Sequence, residues 1–253
     1  MFPDERRQWL LSRARTEGRI DVAAVTEELD VAPETIRRDL NLLESHGLLR
    51  RVHGGAIPVE RLGFEGAHAT RAVTRWEEKV RIAKAAVELL DAAESVYLDE
   101  GSTTQALVDA LPADRPFTVV TNSLPTAMAV TARNNVNLLM LGGRVRSRTL
   151  GTVDHWSTRM LGDLVIDLAF LGTNGISVAH GLTTPDPAVA AVKSAVVSAA
   201  RRRVLVADHT KFGVNSFCRF AAVRDLEAIV TDTGLADDEA QVYRDQGVPV
   251  VRA

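Results

Sequence analysis

Two runs of residues combine side-chain types and spacing that suit chemistry. In the first, Thr35-Ile36-Arg37-Arg38-Asp39-Leu40, helical spacing gathers Ile36, Leu40 and Leu43 into one apolar stripe at i, i+4 and i+7. That turns Arg37, Arg38 and Asn41 to the opposite face, with Thr35 near the helix start. Reading the DNA major groove needs short polar or charged side chains at the start of a helix, and arginine grips guanine O6 and N7 with two bonds. Arg37 is the best base-reading residue of the set. Arg38, Asn41, Arg50, Arg51 and His53 suit phosphate contacts, which fix register without reading sequence, and Asp39 suits holding an arginine in place. Taken alone, Arg37 and Arg38 describe a solvated, weakly ion-paired face better than a binding one. The turn before them and the arginine-bearing hairpin after them reverse that balance.

The second run, Asp99-Glu100-Gly101-Ser102-Thr103-Thr104, follows a strand and opens a helix. Small residues there let backbone N–H groups and hydroxyls close on an anion such as phosphate, which the helix dipole also favours. By itself the run equally fits a plain capped turn. Other polar or glycine clusters end other strands: Thr121-Asn122-Ser123, Gly142-Gly143-Arg144, Gly172-Thr173-Asn174-Gly175 and Asp208-His209-Thr210-Lys211. Thr184, Asp186 and the later Lys193 can supply hydroxyl, acid and cation to the same place. The expected ligand site is therefore Asp99, Gly101, Ser102, Thr103, Thr104, Asn122, Gly142, Gly143, Arg144, Asn174, Thr184, Asp186, Lys193 and Lys211. No nucleophile with a base and an orienting acid is legible.

Elements must position these groups. Residues 1–57 read as three helices and a hairpin: Gly18 ends the first helix, Asp21 caps the second, Pro33 suits the first position of the third, and the glycine pair Gly54-Gly55 turns a β-wing. Residues 58–76, with Pro58, Gly63 and Gly66, read as a linker holding one short packed segment. From 77 to 253 strands and helices alternate: helix 77–90, strand 95–99, helix 103–111, strand 117–121, helix 124–133 and strand 136–141. Strand 165–171, helix 187–201, strands 203–207 and 228–231, and helix 236–246 follow. Such alternation builds a mostly parallel α/β sheet covered on both faces, with ligands expected outside the carboxyl ends of its strands, at a switch point.

Composition narrows the classes. Of 253 residues, 46% are hydrophobic and 25% charged, the balance of a globular protein. No apolar run approaches the roughly 18 residues that cross a bilayer, and the mixed charges of the first residues do not suit a signal peptide. The expected location is the cytoplasm, with no membrane partner. One cysteine, Cys218, and six scattered histidines suggest no disulfide and no metal site. Bulk charge does not announce a nucleic-acid binder: residues 1–57 hold nine arginines and no lysine against ten acids. Between Thr35 and His53, four arginines face only Asp39 and Glu44, so a DNA reading rests on where those few charges point.

The run TIRRDL (35–40), with Leu49-Arg50-Arg51-Val52-His53-Gly54-Gly55-Ala56, resembles the DNA-binding signature of the DeoR family of bacterial transcription regulators. Leu98 to Thr104, Val120 to Ser123, Leu141-Gly142-Gly143, Phe170 to Ile176, Gly181 to Asp186 and Ala207 to Gly213 resemble that family's effector domain in the same order. The resemblance covers essentially the whole chain. It implies a winged helix-turn-helix joined to a ribose-5-phosphate isomerase-like, sugar-phosphate-binding domain in an oligomeric (dimeric or tetrameric) repressor of double-stranded operator DNA. No cofactor is implied. Residues 172–177 with 180–186 look most like actinobacterial fructose-operon repressors, for which fructose 1-phosphate is the natural candidate. There are departures: Ala32 replaces the usual capping serine, and Glu100 and His209 stand where relatives carry small residues. The competing class is a sugar-phosphate isomerase or deaminase with a regulatory head, for which Asp99, Glu100, Asp186 and Asp208 are the available acids and bases.

Overall fold

The computed structural model describes residues 3–17, 20–45, 48–52, 54–58 and 74–253; His53 and most of the expected 58–76 linker fall outside them. Two units separate, Met1–Phe64 and Glu65–Ala253.

In the first unit, α1 (Pro3–Glu17), β1 (Ile20–Asp21), α2 (Val22–Leu29), α3 (Pro33–Ser45), β2 (Leu49–Val52) and β3 (Gly55–Pro58) follow in order. The three strands form one antiparallel sheet, β1-β3-β2. Asp21 caps α2 as its sequence position predicts, accepting the N–H groups of Ala23 (2.9 Å) and Ala24 (3.2 Å). The core joins Leu10 and Ala14 of α1, Val22 and Val25 of α2, Ile36, Leu40 and Leu43 of α3, and Leu49 and Ala56 of the hairpin. The predicted apolar stripe of α3 is thus the face that holds the unit together, and its polar face is left outward.

The second unit holds α4 (Trp76–Val87), β4 (Ser95–Leu98), α5 (Ser102–Ala110), β5 (Phe117–Thr121), α6 (Leu124–Val130) and β6 (Val136–Met140). A small antiparallel pair, β7 (Arg144–Val145) and β8 (Thr152–Val153), precedes α7 (His155–Gly162) and β9 (Ile166–Leu171). Then come β10 (Gly175–Ser177), β11 (Gly181–Thr184), α8 (Pro187–Ala199), β12 (Ala200–Val206), β13 (Cys218–Ala221), β14 (Ala228–Thr231), α9 (Asp237–Arg244) and β15 (Val250–Arg252).

Seven parallel strands run in the order β15-β14-β12-β9-β4-β5-β6. One face packs under Ile82, Leu107 and Val130 of α4, α5 and α6. The other packs under Leu161, Val192 and Tyr243 of α7, α8 and α9, together with the antiparallel sheet β10-β11-β13. Sequence pattern finds the main strands and misses α7, β15 and the short antiparallel ribbons. It also carries helix 187–201 too far: Ala200 already pairs with Ile166 in the sheet, so tertiary pairing overrides the helical preference of an alanine-rich end.

Candidate functional site

On α3, Arg37, Arg38 and Asn41 are exposed and Thr35 is half-buried. Arg37 pairs with Glu34 one turn back at 3.2 Å, both side chains largely in solvent, an interaction worth little in water. Asp39 is buried and does hold an arginine, but one from α1: Arg6 Nε lies 2.6 Å from its carboxylate, with Arg7 at 3.9 Å. Arg51 is the surprise. Its guanidinium donates to Asn41 Oδ1 (2.7 Å), Arg37 O (3.2 Å) and Gly55 O (3.2 Å), while its N–H binds Glu44 (2.7 Å). Arg51 and Asn41 therefore fasten the β2–β3 hairpin to α3. Arg50 stands in β2 opposite Ile57; its side chain, like His53, is outside the described residues.

In the second unit the chain leaves β4 toward β5 and β6 on one side, while β9, β12 and β14 extend the sheet on the other. That is a topological switch point, where parallel sheets open a crevice at their carboxyl ends. A cleft of about 150 Å³ lies there, lined by Gly101, Ser102, Thr103 and Thr104 after β4, Gly172 to Asn174 after β9, and Ala207, Asp208, Thr210 and Lys211 after β12. Glu100, Val206, Lys193 of α8 and Thr74, Arg75 and Lys79 at the start of α4 complete the wall.

Local chemistry shapes this turn. Gly101 precedes α5 at φ +149° and offers no side-chain cap, so the first N–H groups of the helix remain as donors toward the cleft. Thr104 donates its hydroxyl to Asp99 O (2.6 Å), closing the loop. Asp99 lies beneath the cleft, fully buried: its carboxylate accepts the N–H groups of Glu100 (2.9 Å) and Gly172 (2.8 Å) and pairs with buried Lys193. Lys193 also donates to Gly172 O (3.0 Å). This ion pair ties the ends of β4 and β9 across the switch point.

The other acids at the cleft are turned to the protein as well. Asp208 accepts the N–H (3.1 Å) and the hydroxyl of Thr210. The Glu100 carboxylate packs against Gly151, where a Cβ would collide with it. Thr184 donates to Asn174 Oδ1 (3.0 Å), which leaves the Asn174 amide NH2 as a donor. Lys211 makes no ion pair among the described residues. The cleft thus presents helix N–H groups, hydroxyls, an amide and cations, the set that binds a phosphate ester.

The remaining expected residues lie apart. Asn122 is buried, accepting the Tyr97 hydroxyl (2.7 Å) and donating to Thr152 O (3.1 Å). Burial, then the charges of Asp99 and Glu100, push the Tyr97 hydroxyl far above its ordinary pKa, so it stays a donor. Gly142, Gly143 and Arg144 border a separate depression with Trp156 and Met160, and Arg144 pairs with Asp154 at 3.0 Å. Asp186 caps α8 through the N–H groups of Ala188 and Val189 (2.8 and 3.2 Å) and pairs with Arg146 (3.0 Å). Sequence reading passed over Arg75 and Lys79. Lys79 had a signal: it shares the helical face of Ile82, Ala83 and Ala86 and is buried with them, and a lysine on an apolar stripe needs a reason.

Among the described residues no helix is long and apolar enough to cross a membrane. Residues 6–61 match the DeoR-like helix-turn-helix domain, and residues 74–233 the DeoR C terminal sensor domain. The HTH-type transcriptional regulator GlpR of Haloferax volcanii is 36% identical over 99% of this chain and 98% of that protein. The glycerol-3-phosphate regulon repressor of Escherichia coli is 28% identical over 98% of each. Ribose 5-phosphate isomerase A from Methanocaldococcus jannaschii superposes with a TM-score of 0.40 at 18% identity, over 55% of each chain. The relatives are regulators of transcription, which sets the isomerase or deaminase alternative aside: this chain is no enzyme but a member of the DeoR family of DNA-binding transcription regulators, a helix-turn-helix followed by a sensor domain.

Proposed function

We propose that the protein is a cytoplasmic repressor of a sugar-catabolism operon, released from its operator by a phosphorylated sugar, with fructose 1-phosphate the first candidate. Residues 1–57 serve as the DNA-binding domain, 58–76 as linker and 77–253 as the effector-binding and oligomerisation domain. A dimer or tetramer places recognition helices in successive major grooves, where Thr35, Arg37 and Arg38 contact DNA, with Arg50 and His53 on the wing and Arg51 and Asn41 holding wing to helix. The effector acts only through its preference for the arrangement that does not bind DNA.

One observation carries the effector half of this reading: the uncapped start of α5 faces a cleft bordered by Lys193, Lys211 and Asn174 at the switch point. Gly101 to Thr104 take the phosphate, with Lys211 as counter-ion, and Asn174, fixed by Thr184, takes a sugar hydroxyl. Asp99, Asn122 and Asp186 support the walls from behind. Gly142, Gly143 and Arg144, which border another depression, do not belong to this reading of the site.

The test measures binding of the purified protein to its own upstream DNA at one stated salt concentration, with and without a panel of sugar phosphates headed by fructose 1-phosphate. Release by one of them is the expected result and names the effector. In Ser102→Asp a carboxylate takes the place of the phosphate, so the response should vanish while DNA affinity stays. Tight operator binding that no sugar phosphate alters, in the native protein, would overturn the account of the cleft.

A further inference from the structure

The two edges of the seven-stranded sheet are built differently. At one edge, the Ile229 N–H donates to Pro249 O (2.9 Å) and the Ala253 N–H to Thr231 O (2.8 Å). Alternate residues of a parallel strand bond to its neighbour, so Val250 and Arg252 are the β15 residues whose backbone groups face outward. Arg252 puts a charge there, paired with Asp237 at 2.9 Å, and a charged, short edge discourages strand addition. At the other edge, the Phe117 N–H donates to Asn135 O (3.3 Å) and the Leu141 N–H to Thr121 O (2.8 Å). That sets the phase of β6: Asn137 and Leu139 bond to β5, while Val136, Leu138 and Met140 turn their N–H and C=O groups away from the sheet. This edge has no proline and no charged residue, and among the described residues no strand pairs with it. Val136 and Leu138 pack against the core under α4, α5 and α6, and Leu139 against the opposite core.

We propose that the outer edge of β6 is where a second copy of this chain docks, strand to strand, about a two-fold axis at Leu138. The inference rests on the repressor reading above, whose paired recognition helices call for a two-fold assembly. The strand itself selects an identical partner. In an antiparallel pair centred on Leu138, that residue faces Leu138 of the second copy, and Val136 faces Met140; these are the hydrogen-bonded positions of the ladder. Every outward N–H and C=O of the three residues thereby gains a partner. A shift of one residue would set them against Asn137 and Leu139, whose backbone groups are spent on β5. A shift of two would bring Val136 opposite Gly142, whose N–H is turned to Met160 Sδ at 3.2 Å. The side chains agree with the backbone. Val136, Leu138 and Met140 share the face of the sheet that α6 covers, where Met128 of α6 is 73% exposed, and a joined sheet extends that apolar face across the axis.

The test uses the full-length protein with Cys218→Ala as background, mild oxidation, and sedimentation across a range of concentrations. Leu138 and its counterpart on the axis stand about 5.5 Å apart between Cα atoms, within the roughly 4.4–6.8 Å that a disulfide spans. Leu138→Cys should therefore oxidise to a covalent dimer. Val136→Cys and Met140→Cys should each stay uncrosslinked alone, because like residues are offset by four positions, roughly 13 Å, yet a mixture of the two should crosslink. Leu138→Lys sets like charges opposite each other on the axis and should raise the dissociation constant of the dimer by about tenfold or more. Thermal melting accompanies each variant; should Leu138→Lys fail to fold, the cysteine substitutions decide. A dimer in which Leu138→Cys and the mixture both stay uncrosslinked keeps the two-fold repressor and overturns the β6 edge as its seat. Native protein that is monomeric at every concentration overturns both, and slow amide exchange at Val136, Leu138 and Met140 in that monomer would mean that the chain covers its own edge. Crosslinking in the predicted pattern by a protein that binds no operator would sustain the interface and overturn the repressor reading instead.

Discussion

The two units deploy their cations in opposite ways. On α3 the cationic groups are arginines in water: Arg37 and Arg38 are exposed, and the Arg37–Glu34 pair is loose. At the cleft two are lysines buried to 3% and 5% exposure, Lys193 against Asp99 and Lys79 against the Thr74 carbonyl. On the proposed function, the difference follows from the partner each meets. A duplex is a long polyanion that brings its own field, so exposed, weakly engaged, planar guanidinium groups suffice and the interaction is salt-dependent. A small anion must be recognised against water, which asks for charges already desolvated and fixed. A buried charge needs a partner within the protein, as Asp99 is for Lys193.

Breaking the buried side of this comparison should have the largest effect. Lys193→Met leaves the Asp99 carboxylate uncompensated at full burial, and stability should fall by about 3–5 kcal/mol, read by urea unfolding of the full chain. The paired change Asp99→Asn with Lys193→Met should recover much of that loss; if it recovers none, the pair is not what joins β4 to β9. The exposed side should answer differently. Arg37→Ala should leave stability within about 0.5 kcal/mol and cost about 1–3 kcal/mol at a single operator position, read by affinity across single-base operator variants. Uniform loss on every variant would make Arg37 a phosphate contact. Arg51 lies between the two regimes, an arginine used for internal structure. Arg51→Lys loses the fork that reaches Asn41, Arg37 O and Gly55 O together and should cost about 1 kcal/mol of stability, with weaker operator binding from a loosened wing.

Legibility followed the same division. The stripe Ile36, Leu40 and Leu43, the Asp21 cap and the main strands were readable because burial imposes a period and caps impose residue types. The turn after β4 was readable because Gly101 and three hydroxyl residues stand together. What the pattern hid depends on pairing across long separations. Asn122 reads as a strand-end ligand and is in fact bonded to Tyr97 and Thr152 O, 25 and 30 residues away. Arg51 reads as a phosphate contact and is engaged by α3. Asp99 lies beneath the cleft because Lys193 arrives from 94 residues later. The β10-β11-β13 sheet is made of strands of three or four residues, too short for alternation to announce.

The smallest expected effect separates two carboxylates at opposite ends of the same sheet. Asp232 follows β14 and is buried, which opposes its ionisation. The hydrogen bonds it accepts from the His209 N–H (2.8 Å), the His209 ring (2.7 Å) and the Gly234 N–H (2.9 Å) outweigh that and hold its carboxyl below the usual range. Asp167, near the start of β9, is also lowered: partial burial opposes ionisation, but the Ser95 hydroxyl and N–H, the Glu94 N–H and Arg201 prevail. In both the unfolded chain binds the proton more readily, so each contributes stability that is fully present above the unfolded pKa of about 4 and is lost as pH falls through the folded value. Asp232→Asn and Asp167→Asn should each flatten the acid side of the stability profile, measured by urea unfolding between pH 2 and pH 7. Only one should reach the cleft. Asp232 fixes the backbone of His209, in the segment whose neighbours Asp208, Thr210 and Lys211 form a cleft wall, whereas Asp167 joins the opposite ends of β4 and β9. Asp232→Asn should therefore also raise the sugar-phosphate concentration needed for operator release, and Asp167→Asn should leave it unchanged. Equal shifts in both would mean that the response to effector follows overall stability rather than the geometry of the strand ends.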